Sequence, residues 1–227
     1  MHKYRYETHT HTAEVSRCSW ISAVDLVRVY KKLGFGGVWI TDHFLNGNTT
    51  VPRNLPWEEQ VRLFCRGYYN AYYEGQRIGI DVFFGWEYSF RGTDLLTYGL
   101  EPKWLLAHPE VIELHINDYC DLVHEHGGFI AHAHPFREAD YIDLIRLLPR
   151  KVDAVEVVNT CRTDFENTMA DQYADNYQLL KIAGSDNHVG VLSSYGGIEV
   201  AHRVRHDREL IDAIEDGNAK LFVISLA

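Results

Sequence analysis

The chain is 227 residues long, is 46% hydrophobic and carries a formal net charge of −10. That apolar fraction supplies a core for one large α/β domain and excludes wholesale disorder. The acidic balance argues against a sequence-independent grip on long nucleic acid, which needs a basic face for phosphates.

Four cysteines occur, Cys18, Cys65, Cys120 and Cys161, with no C-x-x-C pair. Reduced thiols fit a chain large enough to need no disulfide staple. Met1 to Glu7 has no apolar signal core, and no run approaches the roughly 20 apolar residues of a membrane span. A soluble cytoplasmic protein with no membrane partner is expected. No repeat or linker breaks the chain, so residues 1–227 read as a single domain.

Taken in order, the segment before His9 reads as a first strand. Ser22 caps a helix in which Ala23, Leu26, Val27, Tyr30 and Leu33 share a face, and Gly34 ends it. Val38-Trp39-Ile40-Thr41 is a buried strand. Trp57 to about Ile78 is one long aromatic-rich helical stretch, whose Tyr68 to Tyr73 stripe reads as packing. Val82-Phe83-Phe84-Gly85-Trp86 is a strand, Val111 to His126 a helix, and Gly128-Phe129-Ile130-Ala131 a strand. Tyr141 to Leu148 reads as a helix and Ala154 to Val158 as a strand. Phe165 to Leu179 is a helix and Leu180 to Gly184 a strand. Ile198 to Val200, a helix from Arg208 to Asp216 and a strand from Leu221 to Ile224 complete the pattern.

Strands alternating with helices imply a parallel sheet, since each parallel crossover needs a helix. About seven or eight such units closing on themselves make a barrel of the TIM type, with an open doubly wound sheet as the alternative. In such a barrel, functional groups sit at the C-terminal strand ends. His9 and His11, Asp42 and His43, Glu87, His134, and Asp186 and His188 all fall where a strand ends.

Imidazole and carboxylate bind zinc, manganese and iron. His9 and His11 stand two apart, so on a strand they share a face. Asp186 and His188 repeat that spacing, and Glu87 has two oxygens with which to bridge cations. His132 and His134 compete for one role; His134, beside Pro135, is favoured as ligand, with His132 either supporting a ligand from behind or acting as an acid–base group. His115, His124 and His126 read as solvated or capping. His2, His108, His202 and His206 lack matching partners.

The order H-x-H, T-D-H, strand-end Glu, H-P and S-D-x-H, from His9 to His188, resembles the PHP (polymerase and histidinol phosphatase) metal-dependent phosphoesterases. The resemblance implies a distorted seven-stranded TIM-like β/α barrel and two or three divalent ions of zinc, manganese or iron. It assigns His9, His11, Glu87 and Asp186 to a first ion, and Glu87 with His134 to a second. His43 and His188 would hold a third. Family members often carry an Asp or His where this chain has Ser16 and Arg17, so Glu14 is the substitute ligand. Asp94 stands near the place of another family histidine, and an oxygen there would favour manganese or iron over zinc.

The activity implied is hydrolysis of a phosphate ester, a small phosphomonoester such as histidinol phosphate or a nucleoside phosphate. Cations sharing a carboxylate activate a water as hydroxide. Glu87, Asp186 and His188 would serve that chemistry, and Arg17 could steady the ester oxygens. Three rivals stand beside this reading: a metal-dependent amidohydrolase, an exonuclease or oligonucleotide phosphodiesterase of the same family, and a non-catalytic metal-binding module. The amidohydrolase class often has a bridging lysine on a middle strand. Here Lys151 precedes its strand and Lys181 lies within one.

Overall fold

Inward side chains at every second strand position build the interior, and helices cover the outward ones. A computed structural model of the chain describes residues 3–226; Met1, His2 and Ala227 lie outside them. The elements are β1 (Tyr4–Glu7), α1 (Ala23–Lys32), β2 (Gly37–Ile40), α2 (Trp57–Phe64), α3 (Arg66–Ile78), β3 (Asp81–Phe90) and β4 (Thr93–Tyr98). Then follow α4 (Pro102–Ala107), α5 (Ile116–Glu125), β5 (Phe129–Ala133), β6 (Ala154–Asn159), α6 (Asp164–Tyr177) and β7 (Leu180–Gly184). The chain continues through β8 (Ser194–Val200), α7 (Asp207–Glu215) and β9 (Lys220–Ser225).

All nine strands join one sheet in the order β7-β6-β5-β4-β3-β2-β1-β8-β9. The sheet curls into a distorted TIM-like α/β barrel. At its mouth Thr10, just past β1, bridges in parallel to Asn187, just past β7; His11 N donates to the Asn187 carbonyl at 3.0 Å. Away from the mouth, β8 fits between β1 and β7, antiparallel to β1. The fit is tight: a Cβ on Gly196 would lie 2.5 Å from the Gly184 carbonyl oxygen. Trp39, Phe83, Leu96, Tyr98, Phe129 and Ile182 fill the interior, and Leu210, Ile211 and Ile214 of α7 plug the end opposite the mouth. Outside, Leu26, Val27 and Tyr30 of α1 pack with Val38, Ile40 and Val82.

Several expectations change, among them the helix from Val111 to His126, which begins only at Ile116, after a separate 3-10 turn over Pro109–Ile112. The crossovers are not all helical: β4 runs antiparallel between β3 and β5, and β8 and β9 are also antiparallel. A tight hairpin makes β4, with φ of 49° at Arg91 and 83° at Gly92, the pair of positive φ angles that a two-residue turn uses. The stretch from Trp57 to Ile78 is two helices broken at Cys65. The expected helix over Tyr141 to Leu148 is irregular chain, ending against Pro149; so short an apolar run cannot sustain a helix without a packed face.

Two of the remaining histidines have local roles. His115 caps α5 by accepting from Asn117 N, and His124 pairs with Asp153 at 2.9 Å. All four cysteines are free. No helix among the described residues is long and apolar enough to cross a membrane.

Candidate metal centre

Strand alternation delivers acids to the mouth. On β3, Phe83 faces the interior, so Glu87, four residues on, faces it too. On β4, running the opposite way, the inward series Tyr98, Leu96 reaches Asp94 at the mouth end. On β6, inward Ala154 is followed by Glu156. Glu87 and Glu156 are fully buried and Asp94 is 5% exposed. Buried carboxylates need compensation by charge or hydrogen bonds, and here imidazoles supply it.

Glu87 divides four histidines between its two oxygens. Its Oε1 lies 3.1 Å from His134 Nε2 and 3.5 Å from His9 Nε2. Its Oε2 lies 2.5 Å from His43 Nδ1 and 3.7 Å from His11 Nε2. Asp186 Oδ1 is 3.5 Å from His9 Nε2 and 3.3 Å from His11 Nε2. His188 stacks on His11 with ring centroids 4.0 Å apart and turns Nδ1 toward Asp186.

Three groups follow, each with its donor atoms within 4.8 Å of one another: His9, Glu87 and His134; His9, His11 and Asp186; and His11, His43 and His188. His9 Nε2 and His11 Nε2 are buried with no hydrogen-bond partner, and the buried His43 Nδ1 and Glu87 Oε2 meet each other as an ion pair without hydrogen-bond geometry. Sealed polar atoms are normally satisfied. Four of them facing one another, in nitrogen and carboxylate donors of the right kind, fit divalent cations.

A ring of supports fixes these ligands. Glu156 Oε1 meets His9 Nδ1 at 2.9 Å, and Oε2 accepts from His134 N and Asn159 Nδ2. Ser16 Oγ lies 3.1 Å from His11 Nδ1 and donates to Asp42 at 2.7 Å. Asp42 therefore faces Thr12 and Ser16 rather than the mouth, and burial raises its carboxyl to about 6. Helix α3 comes close enough for this because residue 67 is glycine; a Cβ there would meet Thr12 Oγ1 and Asp42 Oδ2. Asn187 ties its own turn, accepting from Val189 N and Gly190 N.

Charge is balanced within the cup. Burial works against a charged His9, but Glu156 and Asp186 outweigh it and hold the ring well above the usual histidine range. Burial opposes a charged His43 likewise, and Glu87 outweighs it. Burial pushes Glu87 and Asp186 up, but His43 and His9 respectively reverse this and hold both carboxyls well below the usual range. His11 is lowered by burial and by its neighbours His188 and His43.

Several residues singled out from the sequence land elsewhere. Glu14 accepts from Ala23 N and Asn70 Nδ2 at the start of α1 and belongs to none of the three groups. Arg17 is exposed and donates to the Thr49 carbonyl, away from the cavity. His132 faces outward against Tyr173, and burial with His134 nearby lowers it to about 3. The two histidines part because the strand ends between them: His134 has φ of 26°, which turns its ring into the mouth. Asp94 does reach the mouth, where it accepts from Arg137 Nη2 at 2.8 Å and stands outside the three groups.

An open cavity of about 510 Å³ covers the cup, lined by His43, Asp94, Asp186 and His188 together with Cys18, Arg137 and Arg162. Nε of both arginines has no hydrogen-bond partner. Cys18 Sγ is 3.1 Å from His43 Nε2. Burial opposes the thiolate, yet His188 and His43 outweigh it and bring Cys18 down to about 6. Glu156, Cys18 and the two arginines did not stand out in the sequence. Glu156 had a readable signal, a lone acid inside an apolar strand.

No family model matches the chain, and no curated protein does. Solved structures share its fold. A two-domain protein from Bacteroides vulgatus, said to contain a predicted PHP-like metal-dependent phosphoesterase, aligns with a TM-score of 0.74 at 13% identity over 97% of this chain. This chain spans 65% of that protein's length. PsfC from Pseudomonas syringae aligns with a TM-score of 0.61 at 17% identity, covering 100% of this chain and 93% of its own. An amidohydrolase from Chromobacterium violaceum, solved with bound sulfate and no metal, aligns with a TM-score of 0.52 at 13% identity, over 81% and 87% of the two chains. The fold is thus that of PHP-like metal-dependent phosphoesterases.

Proposed function

We propose that this chain is a metal-dependent hydrolase that cleaves a phosphate ester, a small phosphomonoester above all. The observation that carries the reading is Glu87, buried, with two histidines facing each carboxylate oxygen. Such a carboxylate is built to be shared between cations. His9, His11 and Asp186 would complete one position, His134 a second, and His43 with His188 a third.

When bound, divalent cations supply Lewis acidity, making water a nucleophile near neutral pH and drawing charge from phosphoryl oxygens. The chain does the positioning. Glu156 sets the His9 ring and Ser16 sets the His11 ring, so both present Nε2 to the cup. Asp186 and Glu87, held ionised, neutralise the charge gathered there. Arg137 and Arg162 line the same cavity and offer planar donors that match phosphoryl oxygens. An open cavity of about 510 Å³ in a chain of net charge −10 suits a small ester better than a polyanion, which the surface would repel.

Amidohydrolysis is the second reading, favoured by the fold shared with the Chromobacterium violaceum protein. No lysine lines the cavity among the described residues: Lys181 pairs with Asp171 and Asp175, and Lys151 with Asp121. Turnover by the chain loaded with manganese, zinc or iron decides between them. Aryl phosphate hydrolysis is expected. Hydrolysis of amides alone would favour the second reading, and full metal occupancy with no turnover on either would reduce the chain to a binding module.

A further inference from the structure

The irregular chain after β5 leaves four large apolar side chains exposed, Tyr141, Leu144, Ile145 and Leu147. Of these, Tyr141 alone lines the open cavity above the cup. It is also the one benzene ring there; the other lining residues are imidazoles, charged groups, small polar side chains and glycines. An exposed tyrosine inside a polar cavity offers a flat apolar face with nothing yet against it.

The ring is held in place. Arg137 sets its guanidinium carbon 5.6 Å from the ring centroid, a cation–π contact. Arg137 is itself anchored, donating Nη2 to Asp94 at 2.8 Å. The backbone around residue 141 is pinned as well. Ile142 N donates to the Ala139 carbonyl, closing a turn, and the Ile142 side chain sits against Gly92, where a Cβ would lie 3.2 Å from it. Arg146 Nη1 donates to the Arg91 carbonyl at 2.7 Å. The β3–β4 hairpin thus carries the turn that bears Tyr141. Arg137 covers one side of the ring, yet 66% of the residue stays exposed.

We infer that Tyr141 selects the leaving group by stacking on it, so that the preferred substrates are phosphomonoesters whose leaving group carries a planar aromatic ring. This rests on the phosphate-ester reading above and narrows it. The phosphate would lie over the cup, and the leaving group would run along Ser89, Gly92 and Tyr141 on the hairpin side of the cavity. Sugar and polyol phosphates have no flat face to offer the ring and would bind through the phosphate alone.

Phosphonates test this on the full manganese-loaded chain, because their carbon–phosphorus bond is not hydrolysed and binding is read without turnover. Calorimetry compares phenylphosphonate with methylphosphonate. The wild-type chain is expected to prefer the phenyl ligand, and a stacked aromatic pair accounts for about 2- to 10-fold of that preference. Tyr141→Phe keeps the ring and should keep the preference. Tyr141→Ala should lose the stacking share while its affinity for methylphosphonate stays at the wild-type value. Phe165→Ala removes a ring of equal exposure, 66%, from outside the cavity and should change neither affinity. A full preference in Tyr141→Ala, a lost one in Tyr141→Phe, or the same drop in Phe165→Ala would overturn the inference and leave the phosphate-ester reading standing. Equal weakening of both ligands in Tyr141→Ala would overturn it too. Failure of the metal-loaded wild-type chain to bind either phosphonate would sink both.

Discussion

Glu156 Oε1 and His9 Nδ1 lie 2.9 Å apart, and neither side chain has any exposed surface. The contact leaves His9 Nε2 pointing at Glu87 and Asp186, each at 3.5 Å. Outer partners of this kind typically govern metal affinity by about 10- to 100-fold. Glu156→Gln is expected to weaken cation binding by about that factor, measured by competition with a chelator. Unchanged affinity in a folded variant would show that Glu156 is structural only.

Glu87→Gln and Asp186→Asn each remove an anionic oxygen from the centre of the cup. Both variants are expected to lose bound metal and turnover together, read by elemental analysis beside an aryl phosphate assay. Full metal content with wild-type turnover in either would remove that residue from the site.

Arg137 and Arg162 line the cavity with unpartnered Nε atoms. A hydrogen bond to a charged group contributes about 1.5–3 kcal/mol, so each Arg→Ala change is expected to lower kcat/KM on a phosphate ester by roughly 10- to 100-fold. Metal content should stay the same. An equal loss on a neutral ester would mean that the arginines act on the fold and not on the phosphate.

Proton release should accompany metal binding. Glu156 and Asp186 beside His9, and Glu87 beside His43, hold both rings well above the ordinary histidine value, so their charged forms are favoured in the metal-free chain. Their contribution to folding is fully present below the unfolded value of about 6.5 and is lost as pH rises through the raised folded values. The metal-free chain should therefore lose stability on the alkaline side, where added zinc restores it. Cation affinity should climb with pH as these protons leave. A pH-indicator titration that detects no proton release at pH 7 would contradict the assignment.

Gly196→Ala tests barrel closure. The added Cβ would stand 2.5 Å from the Gly184 carbonyl oxygen, a backbone atom that cannot move aside alone. Overpacking of this kind costs about 1–3 kcal/mol, and here it falls two residues before Asp186. A lower Tm with weakened metal binding is expected; a wild-type denaturant midpoint would show that β7 and β8 are free to separate.

Much of the site was legible because strand ends announce themselves: apolar runs stop near His43, Glu87, His134 and Asp186, and the H-x-H spacing marks His9 and His11. The acid at Glu156 was hidden by its company, Val155, Val157 and Val158, although a carboxylate inside an apolar strand demands a partner. The β4 strand escaped notice because Leu95 and Leu96 are both buried, which erases the two-residue alternation, and because Arg-Gly is a weak hairpin signal beside Asn-Gly. His132 misled for a converse reason: alternation placed it with His134, and a single backbone angle separated them. Cys18 and the arginines sit on loops, whose course no periodicity records.

Two of the histidine and carboxylate donors, His134 and Asp186, occupy left-handed backbone, with φ of 26° and 52°. Residues other than glycine tolerate this at about 1–3 kcal/mol each. Glycine at either position would relax the chain and delete a donor at once. Selection for thermal endurance alone would consequently erode the cup, and chains improved that way should be screened for lost cations before their melting temperatures are admired.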